Sequence, residues 1–395
     1  MRPSIVEWQL SPRNFSNQPH VTISDATLEV MARRIGILTG GGDCPGLNAV
    51  IRVVYRHAHD TYGWDVIGIE DGFQGLYEQR WSELTGQRCA GLLARGGTIL
   101  GSSNKANPFA YPISRPNGSI EVVDVSAQCV SHAQSLDLLA LVVVGGDGTM
   151  GIAKKLMDMG IDIVGVPKTI DNDLEATEYT VGFQTALEVA CDALDRLHTT
   201  AESHARVMIC EVMGRYAGWI ALSAGMAAGA EVILIPEIDY DIDAVVAALN
   251  RRRARGISFS IAVVAEGAKA KGGKISISQP GDETTAERLG GAGALLARQL
   301  TERTDYDVRV TVLGHILRGG RPCAFDRMLA TRFGVKAVDC IANGDFGMVA
   351  ALRSGTIVTA PLALAVQKLK RVEPSSDIIR AARATGVEFG DGVGV

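Results

Sequence analysis

From Arg34 onward the chain alternates between two spacings of apolar residues. Short runs dense in Val, Ile and Leu read as buried strands: RIGILTG, DVIGIED, LLALVVVGG, DIVGVPKT, RVMICEVMG, EVILIPE, SFSIAVVAEG and DVRVTVLGHI. Between them lie longer stretches whose apolar positions recur every three or four residues, which predicts amphipathic helices; PGLNAVIRVVYRHAHD, TALEVACDALDRLHTT and AERLGGAGALLARQLTER are examples. Strand and helix in alternation build parallel sheets covered by helices. There are too many strands for one comfortable sheet. The expected fold class is therefore α/β, with two doubly wound Rossmann-like lobes of mainly parallel sheet sharing a cleft, and ligands beyond the carboxyl ends of the strands. Residues 1–32, of mixed polarity and with prolines, read as an extension outside that fold, and no chemistry is assigned to them.

Composition narrows the function classes. A chain of 395 residues, 47% hydrophobic and 21% charged, can bury large cores. A formal net charge of -5 gives no bulk attraction for nucleic acid or an anionic membrane, so an anionic ligand has to be met locally. No apolar run is long enough to span a bilayer and no basic-then-apolar leader is visible, so a cytoplasmic location is expected. The seven cysteines form no CxxC pair, which suits reduced thiols filling apolar space.

Candidate chemistry falls at the strand ends. GGGDCPGLN, Gly40 to Asn48, follows the first strand and opens a helix, so its glycines and helix-start amides suit a phosphate; a plain tight turn would use the same glycines. VVVGGDGTMGIAKKL repeats the pattern, with Asp147 placed either to hold magnesium beside phosphates or simply to cap the helix. PKTIDND, closing the next strand, is the densest cluster. Phosphoryl transfer needs a group to take a hydroxyl proton, carboxylates for a metal, and cations or hydroxyls to steady charge; Asp171, Asp173, Lys168 and Thr169 provide all of these. Further along, EVMGRYAGW carries Arg215, HARVMICE carries Arg206, and DVRVTVLGHILRGG carries Arg309, His315 and Arg318. Arginine forks engage phosphate oxygens two at a time, although each of these taken singly reads first as a surface ion pair. Glu266, ending the strand of VVAEGA, is placed to accept hydrogen bonds from sugar hydroxyls.

Taken in order, GGGDCPGLN, GGDGT, PKTIDND, EVMGRYAGW and VTVLGHILRGG resemble the phosphofructokinase family over about residues 33–365. The resemblance implies phosphorylation of the 1-hydroxyl of fructose 6-phosphate in a cleft between two lobes. It makes Asp171 the catalytic base, with Lys168, Thr169 and Arg215 in the catalytic set and Met213 and Gly214 beside the sugar and transferred phosphoryl. Glu266, His315 and Arg318 would hold fructose 6-phosphate, while Arg206 and Arg309 would reach into a neighbouring subunit's site, within a homotetramer. Gly41, Gly42, Asn104, Lys105, Gly146, Asp147, Gly148 and Thr149 would meet the donor, and Asp147 and Asp173 would serve Mg2+. The lobes implied are a donor lobe of residues 33–182 plus 317–366 and a sugar lobe of residues 183–316 plus 367–395.

Related enzymes use ATP or pyrophosphate. Pyrophosphate users of the family usually carry aspartate where Gly148 stands, and a carboxylate about 4 Å from a nucleotide phosphate would repel it by roughly 4 kcal/mol at an effective dielectric near 20. Glycine removes that obstacle. Lys168 is the residue more typical of pyrophosphate users, but a lysine can neutralise a phosphoryl group from either donor, so ATP is the expected co-substrate. Asn104 stands where a phosphate-binding arginine is common. Arg52 and Arg56 match the family's effector-binding arginines, whereas Ile257 replaces an expected basic position, so regulation is expected to differ from the familiar bacterial pattern. Two rivals remain: a catalytically silent sugar-phosphate or nucleotide sensor, which has no need of Asp171, and a lipid or dinucleotide kinase, which leaves PKTIDND and GHILRGG unexplained.

Overall fold

A computed structural model describes residues 33–281 and 287–393, so the expected extension 1–32 lies outside the described residues. Seven strands form one sheet in the order Thr356–Pro361, Met348–Arg353, Ile163–Pro167, Leu138–Gly145, Arg34–Thr39, Asp65–Ile69 and Trp81–Glu83. The inner pairings are parallel, and each edge strand is antiparallel to its neighbour. A second sheet, parallel throughout, has the order Val308–Val312, Val207–Val212, Ser260–Ala265 and Val232–Leu234. The expected α/β class with doubly wound, mainly parallel sheets is what the chain adopts.

The period-two side-chain alternation of a strand sorts these residues into layers. On the large sheet Val142, Val144, Val164 and Val166 face one core, and Leu141, Val143 and Ile163 face another. The first core continues through the helices Leu47–Tyr62, Phe183–His204 and Ala324–Asn343 to Met208, Cys210 and Val212 of the small sheet. On that sheet's far face Val207 and Ile209 pack with the helices Ile242–Ala254 and Ala292–Thr301. Burying each such Val, Ile or Leu contributes roughly 1.5–3 kcal/mol, enough for a wholly apolar strand such as Ile163–Pro167 to offset a charged, dehydrated rim at its end.

Two local departures from the sequence expectation have simple causes. The helix expected across AERLGGAGALLARQLTER begins only at Ala292, because Gly290 and Gly291 take φ of 143° and 92°, and Arg288–Leu289 pairs instead with Ile277–Gln279. The first residue of that stretch lies outside the described residues. The apolar pattern does not predict the hairpin Met348–Arg353 with Thr356–Pro361, which completes the large sheet at its edge.

Candidate active site

Three loops leave the carboxyl ends of neighbouring strands in the large sheet. The first, after Arg34–Thr39, is the glycine turn Gly40–Gly42. Gly40 donates its N–H to the Val144 carbonyl at 2.9 Å, and Gly41, at φ 75°, donates to the Ser103 carbonyl at 3.3 Å. A Cβ on Gly42 would lie 2.8 Å from Nη1 of Arg318, whose guanidinium also donates to the Asp43 carbonyl at 3.1 Å. Glycine at 42 therefore lets Arg318 lie across this turn. The second loop, after Leu138–Gly145, starts the helix Asp147–Asp158. Thr149 packs against Gly40, Gly41 and Gly145, all of which lack the Cβ that would displace it. Gly148 is exposed, with no atom within 4 Å of where its Cβ would stand, so packing does not require glycine there.

The third loop, Lys168–Asp173, is buried. The Lys168 ammonium donates to the carbonyls of Gly40 at 2.8 Å and Gly42 at 2.5 Å, tying the first loop to the third. Burial lowers its pKa. This contact goes beyond the phosphoryl-neutralising part expected of it, because two of its three N–H donors engage backbone. Asn172 sits at φ 52°, a region asparagine tolerates, and its amide accepts from the Thr180 N–H at 3.1 Å and donates to the Glu178 carbonyl at 3.2 Å. Thr180 in turn donates its hydroxyl to the Thr169 carbonyl at 2.6 Å. These bonds hold Asp171 and Asp173 on either side of a fixed turn.

Both carboxylates are short of partners. Oδ1 of Asp171 and Oδ1 of Asp173 are buried and have no hydrogen-bond partner among the described residues, while the Asp171 N–H donates to Thr169 Oγ1 at 3.1 Å. Burial, with Asp147 adding to it, raises the Asp171 pKa against the opposing pull of Arg318, Arg215 and Lys168. Asp173 is pushed up to about 8 by burial first and then by the charges of Asp171 and Asp147. Such orphaned, mutually repelling carboxylates fit a divalent cation. Among the described residues no three acidic, His or Cys side chains form a protein-only metal cage. A pair of carboxylates is the set magnesium takes when phosphate oxygens and water complete its shell.

Across from this rim, the small sheet sends up Met213–Arg215 after Val207–Val212, and Glu266 after Ser260–Ala265. Gly214 at φ 147° and Arg215 at φ 49° make a sharp turn, and the Glu266 carboxylate accepts the Arg215 N–H at 3.1 Å. A Cβ on Gly267 would fall 2.0 Å from the Arg215 carbonyl, which explains the glycine after Glu266. Burial raises the Glu266 pKa, with Asp171 among the lesser causes. Asp147, Lys168, Thr169, Asp171, Asp173, Arg215, Glu266 and Arg318 thus converge within one chain.

Other expected site residues lie apart. Arg206 and Arg309 stand at the amino end of the small sheet, where Arg206 Nε meets Asp307 Oδ2 at 2.8 Å and Arg309 also contacts Asp307. The six-residue strand Val207–Val212 separates them from Arg215 by roughly 20 Å. His315 is exposed on the 3-10 turn Gly314–Arg318. Asn104 and Lys105 are exposed beside the glycine turn, and Lys105 with Ser103, Gln74, Tyr77 and Tyr111 lines a cavity of about 460 Å³. Arg52 and Arg56 follow each other by one helical turn, Arg56 pairing with Asp60 at 3.2 Å, and Ile257 is exposed. Residues not singled out from sequence are Asn172, Thr180 and Lys370; Asn172 alone had a local signal, an asparagine between two aspartates in a turn.

Fold and site together define a doubly wound α/β protein built to handle phosphate esters at a cleft lined by carboxylates and arginines. The family profile described as Phosphofructokinase matches residues 34–341. An ATP-dependent 6-phosphofructokinase of Chloroflexus aggregans is 51% identical over 91% of this chain and 98% of its own. A pyrophosphate–fructose 6-phosphate 1-phosphotransferase of Streptomyces coelicolor is 49% identical over 87% of this chain and 97% of its own. Among solved structures, Pichia pastoris phosphofructokinase in the T-state matches with a TM-score of 0.73 and 31% identity, covering 94% of this chain and 39% of that longer one. The chain belongs to the phosphofructokinase family. No helix among the described residues is long and apolar enough to cross a membrane.

Proposed function

We propose that this protein is an ATP-dependent 6-phosphofructokinase, moving the terminal phosphoryl group of ATP to the 1-hydroxyl of fructose 6-phosphate to give fructose 1,6-bisphosphate and ADP. The observation that carries this reading is Asp171: a buried carboxylate with an unpartnered oxygen, facing the charges of Arg318, Arg215 and Lys168. A carboxylate lifted by burial is a stronger base than a solvated one, and the surrounding cations favour its ionised form. Asp171 accepts the proton of the attacking hydroxyl. Arg215, held by Glu266 through its backbone, and Thr169 steady the phosphoryl group in flight. Glu266, His315 and Arg318 hold the sugar phosphate, completed by Arg206 and Arg309 from a neighbouring subunit of a homotetramer. Gly41, Gly42, Gly146, Gly148 and Thr149, with Asn104 and Lys105, accommodate the donor. Asp147 and Asp173 would hold magnesium, which when bound shields phosphate oxygens. This reading includes a cytoplasmic location.

Pyrophosphate is the second reading, favoured by Lys168 and by the Streptomyces relative. ATP is preferred because Gly148 leaves open the position where a carboxylate would repel a nucleotide phosphate. The Lys168 ammonium also has a task unconnected with donor choice, the Gly40 and Gly42 carbonyls. Fructose 1,6-bisphosphate formation measured with each donor in turn tests this. Turnover with ATP is expected; turnover with pyrophosphate and none with ATP overturns the donor assignment.

A further inference from the structure

The two rims of the cleft come from different sheets, and something has to keep the carboxylates of one in register with the turn of the other. Within its own rim Arg215 is held by Glu266, and within theirs Asp171 and Asp173 are held by the turn bonds of Thr169 and Asn172. A segment almost two hundred residues further along runs between them. Leu369 bridges Leu174, and the Lys370 N–H donates to the Asp173 carbonyl at 2.8 Å. The Lys370 ammonium donates to the carbonyls of Thr177 at 2.9 Å and Glu178 at 2.8 Å, gripping the far side of the same loop. On its other side the Lys370 carbonyl accepts Nε1–H of Trp219 at 2.8 Å, and the ammonium sits 5.7 Å from the centre of the Trp219 ring. Trp219 is the first residue of the helix Trp219–Ala227, four positions beyond Arg215. Two residues past Lys370, the Val372 N–H donates to Glu237 Oε1 at 2.9 Å, and the same oxygen accepts the Gly218 N–H at 3.0 Å. The strap therefore touches the carboxylate loop through the peptide N–H and the ammonium of Lys370, and the arginine turn's helix through the carbonyl of the same residue.

We infer that Lys370 is a positioning residue that latches the loop Asp171–Asp173 to the turn Met213–Arg215 through Trp219, an assignment that rests on Asp171 being the base. A misplacement of about 1 Å between reacting groups lowers turnover steeply, whereas each rim taken alone keeps its own ligand contacts. Loss of the latch thus affects kcat more than either KM.

Steady-state kinetics of Lys370→Met, Trp219→Phe, the double variant and Lys370→Arg test this, with ATP and fructose 6-phosphate each varied. Lys370→Met and Trp219→Phe are expected to lower kcat about tenfold with either KM moving less than about threefold. The double variant should be no worse than about the poorer single one, because both break one connection. Lys370→Arg, which keeps cation and donors, should recover most of the rate. Parental kcat in both single variants, or independent losses that multiply in the double, overturns the latch. Should Lys370→Met fail to fold, Trp219→Phe, which removes one N–H and keeps an aromatic ring, decides alone. A parent protein without turnover on fructose 6-phosphate would instead refute the functional reading, so the two failures are told apart.

Discussion

Asp173 sets stability against function. Its pKa, about 8 in the fold against an ordinary value of 3.8, means that the folded chain holds a proton there which the unfolded chain has released. Stability is therefore fullest below the unfolded value, declines as pH rises between the two, and is flat above about 8. Asp173→Asn removes the charge with little change of shape. By chemical denaturation without ligands it should be more stable than the parent by about 1 kcal/mol or more at pH 8, and nearly equal to it at pH 4. An equal difference at both pH values would contradict the account. At this scale the sequence made Asp171 legible, because PKTIDND delivers charge to a strand end. It hid the task of Lys168, which depends on carbonyls more than a hundred residues away, and that of Lys370, whose neighbours come from two separate and distant parts of the chain.

The elements around the site are secured at their ends by buried acids. Asp326 at the start of the helix Ala324–Asn343 accepts N–H bonds from Gly182 at 3.0 Å and Thr185 at 2.8 Å, and the Thr185 hydroxyl at 2.6 Å. It thereby caps the helix Phe183–His204, which lies in the core shared by the two sheets. Asp326→Ala leaves those donors buried and unpaired, and should lower the unfolding free energy by about 1–3 kcal/mol; a melting temperature equal to the parent's would show that the cap contributes nothing. Glu211 does similar work for Ala292–Thr301, accepting from Gly291 at 3.1 Å and Gly293 at 2.8 Å. Most strands were readable because their apolar runs are bounded by glycine and charge. The hairpin ending in Pro361 escapes the apolar pattern although its two-residue turn is marked: Ser354 and Gly355, at φ 47° and 77°, join Arg353 to Thr356 in the geometry that suits tight hairpins. Its alanine-rich strand simply lacks the dense branched residues of its neighbours.

For the molecule as a whole, the separation of Arg206 and Arg309 from Asp171 within one chain is consistent with sites completed by a second copy, as the family resemblance implies. Complementation examines that arrangement. Asp171→Asn and Arg309→Ala, each inactive or nearly so alone, should regain about a quarter of parental activity when mixed and allowed to exchange subunits, since half the pairs are hybrids with one intact site of two. No recovery despite exchange would place both groups in the same chain's site. The broad architecture was legible because strand-helix alternation is periodic; the pairing of rims was not, since it is set by contacts between distant segments. The central claim concerns one proton, and the turnover of Asp171→Asn tests it most directly. With ATP, magnesium and fructose 6-phosphate, kcat should fall by a factor of order one hundred or more while calorimetric binding of the sugar phosphate changes less than about threefold. A kcat within about threefold of the parent would contradict the assignment of the base.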